Sequence, residues 1–390
     1  MKILGLCAGD PQSPRSYSGS LRRLLSALDA RGDLLTAMDV DRGRPWRWRS
    51  VLGQIRLRRR TRAARLLSRW TAFEIERRSE RARHLLRKVP TAQAVLLYGT
   101  DFFPARPGES PGVPVGAGLD CTFAQLARSS EWHFDDLTPL EVETCIESQR
   151  RVFERCDWLF PRTEWCAQSL EDDYGIPRRR IVVTGAGPNL DISPGLRRHH
   201  DGATLLFVGR DWARKSGPLV VDAFHLAKRS IPSLRLIVVG PPMRGSRADG
   251  VEWLGPLDGP EQSKLAELFS TASLLVAPSR FEPFGIALLE AMQAGCPVIS
   301  LDRGAAREIF VSGEHGERIA EPEPRILAKA IVDWLSDRDR LDRAGLAAQR
   351  WVLQHFGWHR AAERIAQAFG RSSLRADPRV GLLEGESAQR

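Results

Sequence analysis

Short, nearly continuous apolar runs alternate with amphipathic stretches along most of this chain. The runs Lys2–Cys7, Leu34–Val40, Ala94–Tyr98, Val113–Val115, Trp158–Phe160 and Ile181–Val183 predict strands buried on both faces. Between them, apolar residues at three- and four-residue spacing predict helices opening at Ser20 and over Thr122–Arg128, Pro139–Cys156 and Glu164–Tyr174. The pattern breaks over Asp191–Asp201, where Pro194, Gly195 and the pair His199-His200 mark a linker. A second series follows, with strands near Thr204–Val208, Leu234–Val239, Val251–Leu254, Leu274–Pro278 and Pro297–Ser300. Its helices fall near Pro218–Arg229, Gln262–Thr271 and Gly285–Ala294, with further helices to Phe369. Strand–helix alternation on this scale predicts an α/β fold of parallel sheets covered by helices on both faces.

Two such series predict two doubly wound, Rossmann-like domains facing across a cleft, residues 1–192 and 193–352, which suits a length of 390 residues. The helix near 353–370 is expected to pack back on the first domain, and 371–390 reads as a polar tail. No apolar run reaches the roughly 20 residues that span a bilayer. The start of the chain is too short in apolar residues for a signal sequence. The six cysteines form no CxxC pair and several fall in apolar elements, so reduced thiols in a cytoplasmic chain are expected.

The formal charge of +10 is unevenly spread. Arg56, Arg58, Arg59, Arg60, Arg62, Arg65 and Arg69 form a dense block, with Trp46, Trp48, Ile55, Leu66 and Trp70 interleaved. A solvated, Arg-rich surface helix is the plainer reading of the region 42–88. Contact with an anionic membrane surface, at the inner face, or with an anionic substrate is the alternative. Zinc-finger spacing, RNP motifs and basic-zipper heptads are absent from the sequence, which speaks against nucleic acid as a partner.

Candidate chemistry concentrates in the second series. After the strand Leu274–Ser279, Pro283 ends a tight loop and a helix starts at Gly285, stopped by Gly295-Cys296-Pro297. The amides of Phe284, Gly285 and Ile286 thereby stand at a helix N-terminus, which favours an anion. Glu282 and Glu290 flank it and can accept hydrogen bonds from sugar or ribose hydroxyls. Alone, this is also ordinary helix capping. The strand Thr204–Val208 ends in Gly209-Arg210, with Lys215 and Gly217 beyond; the two cations suit phosphate oxygens, although Asp211 and Arg214 between them also suit a surface ion network. Taken together, two cations, a helix end and two carboxylates fit a nucleoside diphosphate joined to a sugar, without a metal.

At these residues the chain resembles the retaining glycosyltransferases of family 4, of the GT-B fold. The resemblance rests on Gly209-Arg210-(x4)-Lys215-(x)-Gly217 and Glu282-Pro283-Phe284-Gly285-(x4)-Glu290, supported by Gly295-(x)-Pro297 and Gly313-Glu314-(x)-Gly316. It covers about Thr204–Leu335 well. It implies that Arg210 and Lys215 hold the donor phosphates, that Glu290 takes the ribose hydroxyls and that Glu282 lies against the sugar. The base would stack near Pro241 and Leu254. Gly19, after the first strand, resembles the family's glycine loop. Where many members carry a histidine, this chain has Asp120, with His133 as a possible substitute. The implied activity is metal-independent transfer of a sugar from a UDP- or GDP-sugar to a glycan or lipid-linked acceptor hydroxyl, with no cofactor, in cell-surface glycan, glycolipid or polysaccharide synthesis. A metal-dependent transferase using Asp39-Val40-Asp41, a sugar-nucleotide epimerase, a phosphorylase and a non-catalytic sugar-nucleotide-binding or membrane-scaffold module are the rivals.

Overall fold

A computed structural model of the chain describes residues 1–14, 16–41, 70–129, 137–192, 199–240, 249–257 and 261–375. The arginine block 56–69, His133, Pro241 and the middle of the expected linker lie outside the described residues. The chain divides into two units, Met1–Ala186 with Trp358–Arg390, and Gly187–Gly357.

The first unit is built on five parallel strands: β1 (Ile3–Cys7), β2 (Leu34–Asp39), β3 (Ala94–Tyr98), β4 (Val115–Leu119) and β5 (Trp158–Pro161), in the order β2-β1-β3-β4-β5. Every residue of β1, β3, β4 and β5 is buried, as expected of strands covered on both faces. Helix α1 (Ser20–Ala30) buries Leu21, Leu24, Leu25 and Leu28, with Ser20 at its start, and leaves Ser26 and Asp29 outward. The next described helices are α2 (Ala72–Arg87), α3 (Phe123–Arg128), α4 (Pro139–Arg155) and α5 (Glu164–Asp172). Helices α3 and α4 both open on a capping box, Thr122 with Gln125 and Thr138 with Glu141. The segment after Ile181 follows β5 through Val182 N to Leu159 O (2.9 Å) and Thr184 N to Pro161 O (2.9 Å). That contact is a single bridge and not the sixth strand that the run Ile181–Val183 predicts.

The second unit holds six parallel strands: β6 (Thr204–Val208), β7 (Arg235–Val239), β8 (Val251–Gly255), β9 (Leu274–Ala277), β10 (Val298–Leu301) and β11 (Gly316–Ile319). Their order is β11-β10-β9-β6-β7-β8. Helices α6 (Gly217–Lys228), α7 (Gln262–Thr271), α8 (Ile286–Gln293), the short α9 (Ala306–Ile309), α10 (Pro324–Leu335) and α11 (Arg338–His355) follow in chain order. The core joins Leu205, Phe207, Phe224, Leu236, Val276, Ile299, Ile331 and Trp334. Residues Gly187–Ile192 go with this unit, because Asn189 N donates to Glu290 Oε1 (3.2 Å) and Gln293 Nε2 donates to Ile192 O (3.3 Å). These bonds place the division at Ala186–Gly187, ahead of the expected linker.

The last described helix, α12 (Trp358–Arg375), belongs to the first unit and extends past Phe369 into the stretch that reads as tail. Its Ala361, Ala362, Ile365, Ala368 and Phe369 are buried. The Phe369 ring meets Phe160 edge-on at 5.5 Å. Trp158 Nε1 donates to Ser372 Oγ (2.7 Å), and Arg364 Nη1 reaches the carbonyls of Val183 and Thr184 at 3.1 Å each. Phe369→Ala should cost about 3–5 kcal/mol of the first unit's stability. Amide hydrogen exchange should then speed up across β4 and β5 while the second sheet exchanges as in the wild type.

Candidate functional site

Read from one edge, the second sheet runs β8-β7-β6-β9-β10-β11, so chain order reverses between β6 and β9. Ligands of open parallel sheets bind outside the carboxyl ends of the strands at such a switch point. The loops leaving β6 and β9 are the two stretches that carry the candidate chemistry.

The loop after β6 is shaped by its glycines. A Cβ on Gly209 would lie 2.9 Å from Lys215 Cγ and 3.0 Å from Lys215 Cβ, so the absence of one lets the lysine stem lie over the backbone. Any side chain at Gly217 would overlap the Trp212 ring, which meets Phe207 edge-on at 5.2 Å and Trp253 at 5.0 Å. Lys215 N donates to Asp211 O (2.9 Å) and Gly217 N to Trp212 O (2.8 Å), which folds the loop back into α6. Ser216, which caps α6, is buried in the left-handed region at φ 58°, ψ 38°. A non-glycine residue there carries strain of about 1–3 kcal/mol, of the kind that clusters at ligand clamps.

The loop after β9 meets it. Arg280 N donates to Arg214 O (3.2 Å), and Arg214 Nη1 donates to Phe281 O (2.6 Å). One residue further along each loop, the Lys215 ammonium and the Glu282 carboxylate form an ion pair, with side chains only 14% and 16% exposed. Burial alone would push the Glu282 carboxyl up. The charges of Lys215 and Arg214, with hydrogen bonds from Lys215 and Ser279, outweigh it and hold the group below the ordinary glutamate value. Glu282 is therefore an ionised hydrogen-bond acceptor at neutral pH and not a proton donor.

Gly285 caps α8 in the left-handed region at φ 91°, and the first amide bonds inside the helix run from Leu288 and Leu289 back to its carbonyl. The amide groups ahead of them have no acceptor within the helix, as at any helix start. Ile286 is the first helical residue. Phe284 is buried, its ring edge-on to Phe356 at 6.5 Å, so its side chain is taken up in packing. Glu290, a turn into α8, is 6% exposed and accepts the Asn189 amide described above. Arg210 is exposed just beyond Gly209, and Leu254 lies near the end of the edge strand β8.

The first unit's candidates sit at the carboxyl ends of its strands. Gly19 (φ 85°) caps α1 after two further left-handed residues, Tyr17 and Ser18. Tyr17 donates its hydroxyl to Tyr98 O (3.2 Å). Asp120 is the counter-charge of Arg162, whose Nε is 2.9 Å from Oδ1 and whose side chain is only 4% exposed. Arg162 also donates to the Tyr98 hydroxyl, which burial pushes up to about 12. Sequence reasoning missed Arg162, Tyr98 and Tyr17, and read Arg214 only as part of a surface ion network with Asp211. Of those missed, Arg162 alone left a trace, as a charge closing the apolar run Trp158–Pro161. Among the described residues, no group of His, Cys, Asp and Glu could hold a metal ion, and no helix is long and apolar enough to cross a membrane.

With this geometry in view, the comparisons with known proteins are specific. Residues 191–351 match the family model of glycosyl transferases group 1. The chain is similar to D-inositol 3-phosphate glycosyltransferase of Thermobispora bispora, 30% identical over 279 residues, with 65% of each protein covered. It is also similar to glycogen synthase of Mycobacterium tuberculosis, 28% identical over 260 residues, covering 60% of this chain and 61% of that one. The chain thus spans somewhat less than two thirds of the curated relatives it matches. Among solved structures, sucrose-phosphate synthase of Thermosynechococcus elongatus superposes with a TM-score of 0.69 at 16% identity, over 96% of this chain and all of that one. Anabaena HepE in complex with UDP superposes with a TM-score of 0.66 at 17% identity, over 95% and 100%. At such identities the likeness shows the fold, which is GT-B, with a Rossmann-like doubly wound sheet in each unit.

The lowered Glu282 value fixes a pH dependence. Stabilisation by its pairing is fully present above the unfolded glutamate value of about 4.3 and is lost as pH falls through the lower folded value. The difference in Tm between the wild type and Glu282→Gln should be constant above about pH 5 and shrink below about pH 4. Thermal denaturation in matched buffers measures it.

Proposed function

We propose that the protein is a retaining glycosyltransferase that moves a sugar from a UDP- or GDP-sugar to an acceptor hydroxyl without a metal ion. The observation that carries this reading is the Lys215–Glu282 pair, set at the switch point of the second sheet beside the start of α8. The match of residues 191–351 to the family model and the names of the relatives support it.

In this mechanism the bond between the anomeric carbon and the phosphate oxygen breaks, and negative charge builds on the departing diphosphate. Lys215, Arg210 and the first amides of α8 stabilise that charge where it develops, a preorganised term worth roughly 3–4 kcal/mol per donor. The ionised Glu282 accepts hydrogen bonds from the sugar hydroxyls and opposes positive charge on the ring. Glu290 takes the ribose hydroxyls. The acceptor oxygen forms its new bond on the face the phosphate leaves, and its proton passes to a phosphate oxygen. No protein base is needed, which accommodates Asp120 where the resemblance expects a histidine.

The acceptor in this reading is a glycan or lipid-linked hydroxyl, in cell-surface glycan, glycolipid or polysaccharide synthesis. The excess positive charge of +10 favours an anionic acceptor or an anionic membrane surface at the cytoplasmic face, and relatives named for inositol 3-phosphate are in keeping with the former. A second reading, a sugar-nucleotide-binding protein without transfer, rests on Asp120, paired with the buried Arg162, standing where the resemblance expects a histidine.

Lys215→Ala should lower donor turnover by about 100-fold or more with the fold intact. EDTA should leave the wild-type rate unchanged, and the product should keep the donor's anomeric configuration by NMR. An Arg210→Ala, Lys215→Ala protein that turns donor over at the wild-type rate would overturn the proposal. Tight UDP-sugar or GDP-sugar binding with no turnover across an acceptor panel would select the second reading.

A further inference from the structure

The pairing of β6 with β9 stops short of the site. Its register is Leu205 with Leu274 and Leu206 with Leu275, yet β6 continues to Val208 and β9 to Ala277. The sheet therefore does not itself hold the two active loops in register at a switch point, where parallel strands diverge. The cross-links that do so centre on one residue. Arg214 accepts the Arg280 amide at its carbonyl (3.2 Å) and donates from Nη1 to the Phe281 carbonyl (2.6 Å). Its guanidinium also lies 3.7 Å from Asp211 Oδ2, within its own loop, and its side chain is 15% exposed. The next residue of one loop is Lys215 and the next of the other is Glu282, which pair.

We propose that Arg214 is a positioning residue of the donor site, a brace between the loops that sets Lys215 opposite Glu282 before any ligand arrives. The resemblance assigns no role to this position, which falls among the four unspecified residues between Arg210 and Lys215. Main-chain carbonyls do not vary with sequence, so a fork-shaped donor reaching one of them fixes loop to loop whatever side chains flank it. Lysine at 214 keeps the charge near Glu282 but replaces the planar fork with a flexible point charge. The part played in donor binding rests on the glycosyltransferase reading; the brace does not.

Two measurements on the full chain test this. In the first, a double-mutant cycle of Lys215→Met and Glu282→Gln is read by urea denaturation of the second unit, in the wild type and in Arg214→Gln. Non-additivity should be present in the wild type and lost in Arg214→Gln, with Arg214→Lys as the replacement background should the glutamine variant not fold. A purely structural arginine would lower stability in every member of the cycle and leave the non-additivity in place. Full coupling without Arg214, or no coupling in the wild type, overturns the inference. In the second, calorimetric titration with UDP and with GDP should show Arg214→Lys binding about 3- to 10-fold more weakly, the weight of ordering one rotamer-rich side chain. Unchanged affinity, in a wild type that binds one of the two, overturns the donor-site role. A wild type that binds neither nucleotide removes the glycosyltransferase reading, while the cycle still decides the brace.

Discussion

An ion pair between two loops, Lys215 with Glu282, is the contact on which the site depends. The loops come from strands adjacent in space but separated by two intervening strand–helix units in sequence. Their apposition therefore follows from the fold and not from local chain geometry. The energetics explain why the pair suits a ligand-binding role better than a stabilising one. A mostly buried pair gains little over apolar groups of the same shape, because desolvation opposes attraction. The same desolvation makes both charges respond strongly to a third charge placed beside them.

The surrounding residues keep the pair in place by giving up freedom elsewhere. Ser216 holds a backbone conformation that only glycine adopts readily, and Gly285 does the same on the opposite loop. Trp212 fills the space that a side chain at Gly217 would take and ties the cationic loop to Phe207 in the core. Glu290 stitches the chain entering the unit to α8 through Asn189. Local strain, aromatic packing and a buried carboxylate thus act on one short arc at the end of β6 and β9.

Much of this architecture is legible in the sequence because both sheets are parallel and covered on both faces. Runs such as Lys2–Cys7 and Leu274–Ala277 can be little else. Ile181–Val183 has the composition of a strand, but it makes a single bridge to β5, Ile181 with Leu159, with amide bonds from Val182 and Thr184 beside it. The glycines and charges of the second unit's loops are legible for a related reason. Close backbone approach and charge pairing demand particular residue types at fixed offsets. The unit boundary at Gly187 is not legible, since the bonds that draw Gly187–Ile192 into the second unit come from Glu290 and Gln293, about a hundred residues later. Arg214 is legible only as a neighbour of Asp211; its link to the other loop runs to a main-chain carbonyl, which leaves no trace in composition. The counter-charge of Asp120 is 42 positions away at Arg162 and is equally hidden.

The return of α12 to the first unit has a consequence for how the protein is made. On a ribosome, every residue of Gly187–Gly357 emerges before the helix that covers Phe160. The second unit can complete its core while the first waits with an apolar groove open to solvent. Newly synthesised chains thereby pass through an interval in which the earlier-translated half is the unfinished one, a window suited to chaperone capture.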